Sequence, residues 1–369
     1  MLTAFRNYER LEVAFDGRMV VLAGPNGAGK TNLMEAVSFL SPGRGLRRAA
    51  LDAVARKPGN GTWAIAAEVL RDDAPPVPVG TGVAMSPAGP EKRRTVRIER
   101  EPARSADALL GILNVMWLTP AMDGLFTGPA AERRGFVDRA VLAIDRDHGR
   151  RANAYERAVR NRNRLLSEPP FDARVAGAIE TEIAGLGVAI AAARRQWRDL
   201  TSAVIAEAAD AGPFPAARIA LSGFLEERLT DDSASAVEDA YRERLAAGRL
   251  RDAAAGRTLT GPHRSDLEVV HAPKEIAAAM CSTGEQKALL IGLVLSQARL
   301  ASRLTGKTPV VLLDEIAAHL DESRREALYD RLDALGCQAF MTGTDMAVFD
   351  ALDARAERFA VSDAAVVRA

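Results

Sequence analysis

An α/β head assembled from the two ends of the chain, joined to a mainly helical second lobe with a short antiparallel helical hairpin, is the fold class that this 369-residue sequence predicts. Three observations lead to it. A glycine-rich loop, Gly24-Pro25-Asn26-Gly27-Ala28-Gly29-Lys30-Thr31, follows the apolar run Met19-Val20-Val21-Leu22-Ala23 and opens a helical pattern, the strand–loop–helix order of a P-loop. A second apolar run, Val310-Val311-Leu312-Leu313, ends in Asp314-Glu315 and reads as a parallel strand covered on both faces. The middle of the chain is apolar at helical spacing. Roughly 280 residues separate the loop from the acidic strand end, so the fold must bring them together. The expected divisions are 1–128 for the N-terminal head part with its P-loop and mixed sheet, 129–255 for the helical lobe and 256–369 for the C-terminal head part.

The loop carries its own chemistry. Glycines let backbone N–H groups surround phosphate oxygens without Cβ clashes, and the following helix turns its positive end to the same phosphates. Lys30 can reach the β- and γ-phosphates of ATP, and the Thr31 hydroxyl can ligate Mg²⁺. The ATP-binding candidates are therefore Gly24 through Asn32. Of 49 basic residues only six are lysine, so a lysine at position 30 suits a compact charge directed into a phosphate nest. At the other strand end, Asp314 is the candidate to hold Mg²⁺, and Glu315 the candidate base or water-orienting group. Lys30, Asp314 and Glu315 form the candidate catalytic set.

Ser282-Thr283-Gly284-Glu285-Gln286 precedes a strongly helical stretch from Ala288 to Leu304. A serine hydroxyl, a flexible glycine N–H and a helix start make a second anion site; taken alone, the run is equally a capping box. Beside the loop and the acidic strand end it resembles the signature motif of ABC-type ATPases. That resemblance implies contact with the γ-phosphate held by another subunit, so that ATP joins two heads. The run ending His319-Leu320-Asp321 resembles the D-loop of the same class, although His319 is equally a helix-start residue.

The whole chain resembles the RecF family, which is related to the SMC proteins. The runs that carry this are Phe5-Arg6-Asn7-Tyr8, the P-loop with its following Asn32, the basic segment Gly43 to Arg48, and Pro129 to Asp138, which is similar to "P-x-x-R-R-x-F-x-D". Gly261-Pro262-His263-Arg264-Ser265-Asp266 resembles "G-P-H-R-D-D", and Thr342-Gly343-Thr344-Asp345 completes the set. The resemblance implies an ATP-induced head-to-head dimer that binds DNA in recombinational repair and replication restart. It also implies RecA loading at gaps in support of the SOS response, with RecR and RecO as partners. Hydrolysis would be weak, DNA-stimulated and used to reset the state. Another SMC-type head acting in chromosome maintenance, or a P-loop phosphotransferase, stands as the alternative. Ser265 departs from the family's aspartate, no clear glutamine follows the strand ending at Leu118, and Thr342 and Thr344 stand where related transporters place a γ-phosphate histidine.

Composition agrees. Apolar residues make up 48% of the chain, and no apolar run approaches 18 residues without charges, so no membrane span and a cytoplasmic place are expected. Cys281 and Cys337 lack metal spacing. Net charge is zero, but the distribution is uneven. From Glu132 to Arg164 ten arginines face five acids, and from Arg44 to Lys57 five basic residues face one. Arg44, Arg47, Arg48, Arg133, Arg134, Arg150 and Arg151 are the DNA-contact candidates, weighed against ordinary solvated helix faces. Aromatics are only 5% of the chain, which favours backbone recognition of duplex or gapped DNA over base stacking on single strands. Val137, Val141, Ile144, His148, Tyr155, Val159 and Leu166 follow helical spacing. Phe171 through Val204 do so more cleanly after the break at Glu168-Pro169-Pro170. The pattern predicts two antiparallel helices of about 40 residues, roughly 60 Å each. Pro75-Pro76-Val77-Pro78 reads as a loop between strands Trp63 to Leu70 and Thr81 to Met85.

Overall fold

The computed structural model describes residues 1–17, 19–71, 74–168, 170–208, 212–316 and 320–369. They form two compact units, one comprising Met1–Asp123, Gly212–Phe214 and Val294–Ala369, the other Gly124–Ala211 and Pro215–Leu293.

The first unit holds the sheet that the sequence led us to expect. Its strand order is Val115–Leu118, Val310–Leu313, Ala339–Gly343, Met19–Ala23, Ala356–Ser362, Ala365–Arg368. All neighbours are parallel except the closing hairpin. Every residue of the first four strands is buried, and apart from the Thr342-Gly343 corner they are apolar. Register places Leu313 beside Met341, and Gly343 beside Ala23. The loop after Ala23, the acids after Leu313 and the Thr342-Gly343 corner therefore emerge at one sheet edge, the carboxyl ends where open α/β sheets bind ligands.

An antiparallel sheet completes this unit in the order Tyr8–Leu11, Leu2–Phe5, Trp63–Arg71, Ala74–Val83, Thr95–Ile98, Glu101–Pro102. Phe5 meets Phe39 and Trp63 edge-on at 6.0 and 5.7 Å between ring centroids, joining the sheet to the end of the P-loop helix Lys30–Ser38. The expected loop at Pro75–Pro78 is instead the start of a strand. Pairing explains the tolerance: Ala74–Val83 meets Thr95–Ile98 only over Val79 to Gly82, so its proline-rich beginning lies at an edge where missing N–H donors cost little.

The second unit is helical, with a three-stranded sheet of Ala217–Ser222, Asp266–His271 and Ile276–Ala277. The expected first long helix is two helices, Ala130–Leu142 and His148–Leu166. Asp145 makes the break: its Oδ1 accepts the Asp147 N–H at 3.1 Å, and both its oxygens accept from Arg151. The second, Ala173–Glu207, runs 35 residues, about 52 Å. Asp172 caps it by accepting the Arg174 and Val175 N–H groups. Of the Glu168-Pro169-Pro170 break, Pro169 lies outside the described residues.

The unit boundaries at 123/124 and 293/294 differ from those expected at 128/129 and 255/256. The strand Asp266–His271 pairs along its whole length with Ala217–Ser222, and His263 Nδ1 accepts from the Tyr155 hydroxyl at 2.7 Å. These ties hold 256–293 in the helical unit. Two helices, Ala173–Glu207 and Thr283–Thr305, are apolar and long enough to cross a membrane, where none was expected. They are packed core helices, with 44% and 61% of those windows buried. Ala173–Glu207 also takes Glu180 and Arg194 into buried ion pairs.

Those pairs organise the unit's interior. Arg162, fully buried, donates to Glu180, Asp252, Thr258 and the Leu245 carbonyl. Arg194 donates to both oxygens of Asp138, to the Pro262 carbonyl and to Ser265 Oγ. Burial pushes the Asp138 carboxyl up, but hydrogen bonds from His148 and Arg194 and the Arg194 charge outweigh it and hold the pKa at about 2. A carboxylate depressed below its unfolded value near 3.9 stabilises fully above that pH and loses its contribution as pH falls toward 2. Denaturant unfolding between pH 5 and 2 should show this window, and Asp138→Asn should be less stable at pH 7 with a flatter acid arm.

Candidate nucleotide site

The loop is fixed from two sides. Gly24 has φ +158°, and a Cβ there would lie 2.0 Å from the Val361 carbonyl oxygen. Gly29, at φ +116°, would drive a Cβ to 2.6 Å from Asn7 Nδ2 and the Tyr8 hydroxyl. Asn7 and Tyr8 belong to the N-terminal hairpin and hold the loop directly. Tyr8 donates to the Gly29 carbonyl at 3.0 Å, Asn7 Nδ2 to the Ala28 carbonyl at 3.3 Å, and Asn32 Nδ2 to Asn7 Oδ1 at 2.7 Å. Asn32, expected among the ATP-binding residues, thus braces the loop.

Lys30 is 4% exposed, and its Nζ donates to the Gly24 and Pro25 carbonyls at 2.6 and 2.9 Å. The ammonium therefore lies over the loop it follows. Burial lowers its pKa, and the charges of Glu315 and Asp314 oppose that.

Lys30, Thr31, Asp314 and Glu315 come together as the sequence led us to expect. Thr31 Oγ1 donates to Asp314 Oδ1 at 3.0 Å across 283 residues of sequence. Thr342 Oγ1 donates to the same oxygen at 2.8 Å and accepts the Glu315 N–H at 2.9 Å. Glu315 has a positive φ of 55°, which turns the chain sharply after the strand. Thr342 is fully buried, with its hydroxyl committed in both directions. It holds the two acids in place; Thr344 is exposed. Sequence reasoning missed that role because the threonine's partners lie on other strands.

The oxygen set fits Mg²⁺. One hydroxyl and one carboxylate converge, and among the described residues no group of three or more His, Cys, Asp or Glu could cage an ion. Mg²⁺ takes few protein ligands and completes its shell with phosphates and water.

In the second unit Ser282 opens the helix Thr283–Thr305 through a capping box. Its N–H and Oγ both donate to Glu285 Oε2, at 2.9 and 2.8 Å. Ser282, Thr283 and Gly284 are exposed; Gln286 is buried and donates to the Cys281 carbonyl at 2.9 Å, so it supports the turn. The D-loop residue His319 lies outside the described residues.

The arginine candidates divide. Arg44, Arg47, Arg48 and Arg150 are exposed. Arg47 also donates to Asn32 Oδ1 and to Glu35, and fully buried Glu35 accepts from Arg6 as well. Arg150 pairs with Asp147 and Arg151 with Asp145. Arg133 is taken up by Asp266 and by carbonyls at Leu125 and Gly128, and Arg134 donates to the Ser265 carbonyl. These two lock the unit together, a role invisible in a count of charges. Ser265 is itself buried, donates to the Pro262 carbonyl and accepts from Arg194, which makes it a hydrogen-bond link.

A family profile described as "RecF/RecN/SMC N terminal domain" matches residues 1–365. "DNA replication and repair protein RecF" of Rhizobium rhizogenes is 55% identical over 367 residues, covering 100% of this chain and 97% of that protein. The protein of the same name from Mesorhizobium japonicum is 55% identical over 365 residues, covering 99% and 96%. Among solved structures, "the recombination mediator protein RecF-ATP in RecFOR pathway" superposes with a TM-score of 0.86 at 21% identity, covering 100% and 96%. An SMC head domain from Pyrococcus furiosus reaches 0.53 at 16% identity, covering 100% and 94%. The two solved structures share the ABC-type ATPase head fold, and on the strength of the profile and the full-length relatives the chain belongs to the RecF family.

Proposed function

We propose that this protein is an ATP-gated DNA-binding protein of recombinational repair and replication restart, acting in the cytoplasm. The convergence of Lys30, Thr31, Asp314 and Glu315 at one sheet edge carries the reading. The full-length relatives named for DNA replication and repair support it.

Lys30 would meet the β- and γ-phosphates, and Thr31 and Asp314 would hold Mg²⁺, which supplies charge neutralisation on the phosphoryl group. Glu315 would orient the attacking water and accept its proton. The exposed Ser282-Thr283-Gly284 run offers donors to the γ-phosphate of a second copy, so that two nucleotides bridge a head-to-head dimer. The paired state binds DNA, and slow, DNA-stimulated hydrolysis resets it. Helping RecA load at gaps, supporting the SOS response and engaging RecR and RecO follow from the family resemblance.

Light scattering with ATP and Mg²⁺ tests the pairing. The wild type should dimerise, Ser282→Arg should stay monomeric while still binding ATP, and Lys30→Met should lose ATP binding. Pairing retained in both variants would overturn the assignment. Thr342→Val keeps shape but removes the hydroxyl that fixes both acids. Its turnover should fall on the order of 10²-fold with ATP affinity little changed; unchanged turnover would remove Thr342 from the machinery. Exposed Arg44 and Arg48 are the clearest phosphate contacts. The double alanine variant should weaken duplex binding without sequence preference and reduce the slope of log affinity against log salt by about two. An unaltered slope would place the DNA elsewhere.

A further inference from the structure

The signature run carries an acid where a polyanion must dock. Glu285 Oε2 accepts both donors that Ser282 offers, its N–H at 2.9 Å and its hydroxyl at 2.8 Å. A triphosphate brought to Ser282 must take those donors over and meets a carboxylate beside them. Like charges at that distance repel. The other carboxylate oxygen, Oε1, accepts from Lys274 Nζ, on the turn Ala272–Lys274 that precedes the signature by eight residues. Lys274 pairing first, then the Ser282 hydroxyl and N–H, hold the Glu285 carboxyl down at about 2, so it remains charged. The neighbouring acid Glu275 has its own cation, Arg218, bound through both oxygens at 2.9 and 2.6 Å. These two acids are each matched to a base, and the base on the signature acid is a lysine.

The choice of cation is informative. The chain has six lysines among 49 basic residues, and its fixed buried pairs at positions 162 and 194 use arginine. A lysine ammonium on a flexible stem can change acceptors without breaking a planar fork. Lys274 is 53% exposed, free to follow an arriving phosphate.

We propose that Lys274 is a positioning residue of the dimer seam, neutralising Glu285 so that Ser282 can release it and turn its donors to the triphosphate on a second copy of this chain. The inference rests on the paired reading above. In the unpaired protein the Lys274–Glu285–Ser282 chain holds the signature turn; in the paired one the cation compensates the acid against the phosphates.

The test is the dimer dissociation constant of the full chain with Mg²⁺ and ATPγS, by analytical ultracentrifugation, for the wild type, Lys274→Ala, Glu285→Gln, the double variant and Ser282→Arg. Lys274→Ala should weaken pairing by at least roughly tenfold, because an uncompensated like charge at an interface costs more than that factor. Its ATP affinity as a monomer and its melting temperature should match the wild type, and the defect should shrink in high salt. Glu285→Gln in the Lys274→Ala background should restore most of the lost pairing, which a merely structural lysine would not permit. Wild-type pairing in Lys274→Ala, or a double variant as weak as the single, overturns the proposal. Failure of the wild type to pair, or pairing by Ser282→Arg, overturns the dimer reading beneath it.

Discussion

One carboxylate oxygen carries the nucleotide head. Asp314 Oδ1 accepts from Thr31 Oγ1 and from Thr342 Oγ1, so a loop from the first tenth of the chain and two strand ends from the last fifth meet at a single atom. The parallel sheet makes the meeting possible by interleaving strands from both ends, with Met19–Ala23 between Ala339–Gly343 and Ala356–Ser362. Apolar burial holds that sheet together, but burial is non-directional and leaves loop ends free to wander. The two hydroxyls convert a buried sheet into a placed site. Through the Glu315 N–H, the same threonine also sets the second acid.

The helical unit solves a different problem. Its core clusters Ile183, Val188, Leu225, Val237 and Tyr241, yet two arginines lie among them. Buried charge is expensive unless every donor finds an acceptor. Arg162 and Arg194 come near that limit, each reaching carboxylates, a hydroxyl and a main-chain carbonyl on several elements. Such directional contacts fix the relation of helix Ala173–Glu207 to the Pro262–Arg264 turn more narrowly than side-chain packing would.

The head was legible where local chemistry is unambiguous. Lys30, Thr31, Asp314 and Glu315 stand in runs whose composition admits few readings, and the structure brings them together. Legibility fell where a residue's meaning depends on what faces it. Thr342 was legible only as standing where related transporters place a histidine until its strand neighbours were known. Arg133 looked like a free cation until Asp266, 133 residues away, was placed against it. The helix break at Asp145 was hidden because Val141, Ile144 and His148 keep helical spacing across it. Prolines 75, 76 and 78 argued for a loop because sequence does not show which strand edges go unpaired.

The close approach of Gly24 to the Val361 carbonyl has a consequence for biogenesis. Synthesis reaches Gly24 and then needs 337 more residues to reach Val361. At a synthesis speed of about 5–20 residues per second, the loop waits many seconds for its sheet neighbours. Until Val361 has emerged, a nascent chain lacks that wall of the loop.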